Sequence, residues 1–170
     1  MDIRPEALTP DDPATFAAWA GPALVPMRRL ARRLAPSADA DDIVQDALTR
    51  AWQKRAQFDP ARGTATAWLL AVVADRARAV RRKRVRWLRV VDESAAVPDI
   101  AAEAASGDPD LERAIRRLSE RQQLAVQLHY FVGLGVEETA AVMGCTAGTV
   151  KSTLFDARRR LRNLLGDTDD

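Results

Sequence analysis

Three groups of side chains in this sequence could do chemistry, and each is suited to another macromolecule rather than to a small substrate. The first is acidic: Asp39, Asp41, Asp42 and Asp46, with Gln45 among them. Asp42 and Asp46 are four residues apart and so share one face of any helix formed there. A Mg2+ site can be imagined, but no second ligand set appears elsewhere in the chain. Helix-start decoration and a protein contact are the better readings. The second group is RARAVRRKRVRWLR, residues 76–89, with eight cations and no acid. As a helix this run repels itself unless something negative lies alongside, and phosphates supply that charge. Trp68 and Trp87 flank it, and an indole beside a cationic groove can stack on an unpaired base. Trp68 equally fits a core, because Leu69, Val72 and Val73 share its neighbourhood. The third group begins at Thr146 and Thr149, which can donate to phosphate where a helix start adds its own amides. Lys151, Ser152 and Phe155 follow as candidates for base edges, and Arg158, Arg159 and Arg162 as backbone contacts.

An enzyme finds little to work with. The single histidine, His129, lies in a helical pattern with no Ser, Cys or Asp beside it in sequence. The single cysteine, Cys145, reads as small apolar filler at a turn. One Cys excludes a disulfide framework, and one His excludes a metal site built on several Cys or His ligands. No glycine-rich loop cradles phosphate. No catalytic residue, cofactor, metal or small-molecule substrate is therefore expected.

The chain has 170 residues, of which 47% are hydrophobic and 29% charged, enough to bury a core and remain soluble. No apolar run is long enough to span a membrane, and the first residues lack the basic lead and apolar stretch of a signal peptide. The expectation is a soluble cytoplasmic protein. Its net charge of +2 hides an asymmetry: residues 1–91 carry +7, residues 92–110 carry −6 and residues 111–170 carry +1. A basic front of this kind points to a polyanion.

The elements that must position these groups are all helical. Ile43, Val44, Ala47, Leu48, Ala51 and Trp52 recur at helical spacing, with Ser37 or Asp39 placed as the cap. A helix over Ala23–Leu34 precedes them and is stopped by Pro36. Pro60 and Gly63 break the chain before a helix from Thr64 to about Arg89. Residues 92–110 have no sustained amphipathic period and read as a flexible acidic linker, giving domains at 1–91 and 111–166 and a tail at 167–170. In the second domain Ser119 and Gln122 form a capping box. A helix over Val136–Met143 then meets Gly144. Val150, Leu154, Ala157, Leu161 and Leu164 form one apolar stripe, and Gly166 is expected to cap it. Two helices joined at Gly144, with Ala140 allowing close approach and Val150 pinning them, make a helix-turn-helix.

Taken in order, DADDIVQDALTRAW (39–52), TAWLLAVVADRARAVRRKR (66–84), the acidic segment and LSERQQLAVQLHYFVGLGVEETAAVMGCTAGTVKSTLFDARRRLRNLL (118–165) resemble a bacterial sigma factor of the two-domain extracytoplasmic-function type. The resemblance implies a subunit of RNA polymerase that is not itself an enzyme. Asp39, Asp42, Gln45 and Asp46 would grip a coiled coil of the largest core subunit. Trp68, Asp75, Arg76, Arg78, Arg81, Arg82 and Lys83 would engage the −10 element of promoter DNA. Thr146, Thr149, Lys151, Ser152, Phe155, Arg158 and Arg159 would read the −35 element. The linker would thread near the polymerase active site, and an anti-sigma factor would regulate the whole. This chain departs from the family pattern at Asp75, Ala79, Thr139, Thr153, Phe155 and Asp156. The alternatives are a helix-turn-helix transcription regulator without a polymerase contact, and a helical protein whose basic face meets an acidic partner.

Overall fold

The computed structural model describes residues 10–91 and 108–166, and among them every regular element is a helix. The first domain contains α1 (Pro13–Ala20), α2 (Leu24–Leu34), α3 (Ala40–Gln53) and the long α4 (Ala65–Val91). The second contains α5 (Pro109–Arg116), α6 (Glu120–Val126), α7 (Val136–Met143) and α8 (Ala147–Gly166). After α6 the chain widens into a π-helical stretch, Gln127–Val132, closed by left-handed Gly133.

Local chemistry accounts for most boundaries. Asp12 caps α1, accepting from the amides of Ala14 and Thr15 and from the Thr15 hydroxyl. These bonds, led by the Thr15 hydroxyl, hold its carboxyl below the usual 3.8. Asp39 rather than Ser37 caps α3, with the amide of Asp41 at 2.7 Å. Ser119 and Gln122 form the expected capping box on α6. Two boundaries differ from expectation. Residues 109 and 110, read as linker, are the first turn of α5, because Asp108 caps the helix and the fixed φ of Pro109 suits its first position. Gly166 ends α8 inside the helix and does not adopt the left-handed cap. Residues 92–107, the rest of the expected linker, lie outside those described.

The two domains share a core. Met27 and Leu30 of α2 and Leu69, Leu70 and Val73 of α4 are fully buried. The same apolar cluster takes in Leu124, Leu128 and Val142 from the second domain. Burying each such side chain contributes about 1.5–3 kcal/mol. A smaller cluster, including Ile115, Leu118, Ala140, Val150, Leu154 and Ala157, holds α5 and α6 to the helix pair α7 and α8.

Candidate protein and nucleic-acid interfaces

The acidic group sits where α3 meets solvent. Ile43, Val44, Ala47 and Ala51 turn inward, while Asp42, Gln45, Asp46 and Thr49 are exposed on the opposite side. Asp42 and Gln45 have no side-chain partner among the described residues. Asp46 is paired with Arg76 of α4, and Asp41 with Arg28 of α2 at 2.7 Å. Asp39 is partly committed to its capping bonds. What remains is a negative, hydrogen-bonding strip about two turns long, suited to a basic protein surface.

The basic helix is less free than its sequence suggests. Arg76 goes to Asp46, leaving its buried Nε without a partner. Arg78 pairs with Asp75 at 3.0 Å and donates to the Ala74 carbonyl at 3.1 Å. Arg81 reaches into the second domain, pairing with Glu120 and donating to Gln123 at 3.4 Å. Arg84 donates to the Ser37 carbonyl at 3.1 Å. Arg82 and Lys83 are exposed, as is Arg86, and none of the three has a partner among the described residues. The self-repulsion of the run is thus relieved internally by Asp46, Asp75 and Glu120.

Trp68 is half-buried in an aromatic cluster, its ring 5.9 Å from Trp19 and 5.8 Å from Phe58. Its apolar neighbours win this position, because indole burial against other rings contributes more than isolated exposure. Trp87 is the exposed tryptophan, 61% accessible. Trp68 also lines a cleft of about 490 Å³ between the domains, with Phe58, Asp59 and Arg62 on one side and Ala141 and Gly144 on the other.

The helix-turn-helix forms as its spacing predicts. Gly144 is left-handed at φ 61°, and the Cys145 amide donates back to the Ala140 carbonyl at 3.1 Å. Thr146 opens α8: its hydroxyl accepts from the Thr149 amide at 3.2 Å and lies 2.9 Å from the Thr149 hydroxyl. Val150, Leu154 and Ala157 are buried, and Lys151, Ser152, Phe155, Asp156, Arg158 and Arg159 are exposed. Phe155 exposes its aromatic ring, 54% accessible, between Lys151 and Arg158 on the same side of α8. Thr139 of α7 is fully buried with no partner for its hydroxyl.

A group with no signal in the sequence lies between the domains. Arg33, near the end of α2, pairs with Glu112 of α5 at 2.6 Å and donates to the buried Gln127 side chain. Its guanidinium also stacks 3.5 Å from the centre of the Phe131 ring. All three partners belong to the second domain, and the nearest in sequence is 79 residues away. At the same junction Gly63, before α4, approaches α7 so closely that a Cβ there would meet the Ala141 methyl at 3.2 Å.

Residues 23–87 match the family Sigma-70 region 2, and residues 109–161 match Sigma-70, region 4. The chain is 34% identical over 143 residues to the ECF RNA polymerase sigma factor EcfG of Rhodopseudomonas palustris, covering 82% of this chain and 78% of that one. Two solved structures are similar. The sigma factor RpoE of Bartonella quintana, in complex with the anti-sigma factor NepR, has a TM-score of 0.66 and 33% identity over 91% of this chain and 98% of that one. CnrH, in complex with the cytosolic domain of CnrY, has a TM-score of 0.67 and 26% identity over 95% and 94%.

Proposed function

The chain belongs to the sigma-70 family, in its extracytoplasmic-function class, and from that membership we propose how its residues divide the work. It is a sigma factor that directs core RNA polymerase to promoters at the start of transcription. The exposed strip Asp42–Gln45–Asp46 on α3, with Asp39 at its head, docks on the coiled coil of the largest core subunit. Arg82 and Lys83 meet −10 phosphates first, and Arg76, Arg78 and Arg81 follow as their internal acids are displaced. Asp75 and the half-buried Trp68 border that site. Thr146 and Thr149 anchor the α8 start on the −35 backbone, where Lys151, Ser152 and Phe155 reach base edges and Arg158 and Arg159 follow the phosphates. In this reading the chain is a non-catalytic subunit acting on DNA in the cytoplasm. Its domains divide at residues 1–91 and 109–166.

The domains must part for this to happen. Elements centred at −10 and −35 lie about 25 base pairs apart, or roughly 85 Å at 3.4 Å per pair. The 27-residue α4 spans only about 40 Å. In this reading the Arg33–Glu112 pair, at 2.6 Å, is released on the promoter so that the two domains reach both elements. The packed arrangement is the form that an anti-sigma partner, such as the one bound to the Bartonella quintana relative, would hold.

The observation that carries this reading is the exposed acidic strip with unpartnered Asp42 and Gln45. Binding to sigma-free core polymerase tests it, with Asp42→Arg/Gln45→Ala as the variant. Tight binding that the variant weakens at least tenfold is expected. Sequence-selective duplex binding without any polymerase binding would leave a stand-alone regulator instead.

A further inference from the structure

An acid on a helix that reads DNA needs a reason. Asp156 lies on the outward side of α8, opposite the buried line of Val150, Leu154 and Ala157, with Ser152 one turn before it. Among the described residues it pairs only with Arg159 on the next turn, at 3.6 Å, and both side chains are more than half exposed. Helix geometry thus puts Asp156 among the very side chains that face the groove, and it is the one anion among them. Near phosphate a carboxylate costs affinity. In the floor of the major groove it does something no neighbouring cation can: it accepts a hydrogen bond from the cytosine N4 amino group, and it repels the acceptor edge of guanine.

We propose that Asp156 is a specificity-determining residue that selects a cytosine at one position of the −35 element, with Arg159 holding its carboxylate in place. The inference rests on the assignment of α8 to the −35 element. Affinity given up at the backbone is returned as discrimination at one base pair.

The test is selection from duplexes randomised over six consecutive base pairs upstream of a fixed −10 region. Holoenzyme reconstituted with the full-length chain is compared as wild type, Asp156→Ala and Asp156→Asn. The wild-type pool should be enriched in cytosine at one position by about tenfold, a preference that Asp156→Ala loses. Asp156→Asn should move the preference at that same position toward adenine, because an amide pairs with adenine N6 and N7. Identical selected sequences in all three pools, with only a uniform difference in affinity, would overturn the proposal and leave Asp156 as a backbone repellent. A wild-type pool with no preferred sequence would overturn the assignment of α8 itself, and with it the proposal.

Discussion

Asp39 has two possible duties that one pair of substitutions separates. As the cap of α3 it satisfies amides at the helix start, and as a carboxylate it adds to the strip proposed to face polymerase. Asp39→Asn keeps the cap and removes the charge, whereas Asp39→Ala removes both. Asp39→Ala should cost about 1 kcal/mol in a urea titration and Asp39→Asn only a few tenths. Polymerase affinity should fall in both if the charge matters, and neither should match the loss in the Asp42 and Gln45 double variant. Thr139 offers the opposite case, a polar atom the fold would do better without. Its hydroxyl is buried and unpartnered, so Thr139→Val should raise stability by about 1 kcal/mol, read as a higher urea midpoint at unchanged slope. Asp42 and the outward residues of α8 were legible from spacing, because helix periodicity fixes a face without reference to the rest of the molecule, while Gln45 came from the family resemblance. The engagement of Asp46 by Arg76 was not, since it depends on how α3 lies against α4.

At the scale of elements the short-range signals carry far. The capping box on α6 and left-handed Gly144 between α7 and α8 each act within a few residues and are visible in sequence, whereas Asp108-Pro109 reads there as a turn and proves to be the cap and first turn of α5. The π-helical stretch Gln127–Val132 is different. It carries no distinct composition, and it puts Leu128 into the shared core while Gln127 and Phe131 address Arg33. An apolar and polar alternation that serves two domains at once reads in sequence as an ordinary helix. Trp68 was legible as a core residue from its neighbours Leu69, Val72 and Val73, but its aromatic partners Trp19 and Phe58, from elements distant in sequence, were not.

The whole molecule is held closed by a few polar contacts laid over a shared apolar core. Arg33 and Glu112 are each only 16% exposed, so removing one leaves the other charge poorly solvated. Arg33→Ala should weaken the closed arrangement by about 3 kcal/mol. The expected outcome is a larger radius of gyration in small-angle scattering, with helix content unchanged by circular dichroism. An unchanged radius would place the hold in the apolar contacts instead. The acids that quiet the basic helix have a consequence for how strongly it binds duplex. Where an arginine already holds a carboxylate, an arriving phosphate enters by exchange. The phosphate sheds its condensed cation, while the displaced acid stays nearby and repels the arriving anion. Arg76, Arg78 and Arg81 are matched in this way by Asp46, Asp75 and Glu120. In the proposed −10 contact each would therefore bind phosphate more weakly than a free cation does. The closed protein greets DNA as a weaker polycation than its sequence declares, and so is less easily trapped on the wrong stretch of chromosome.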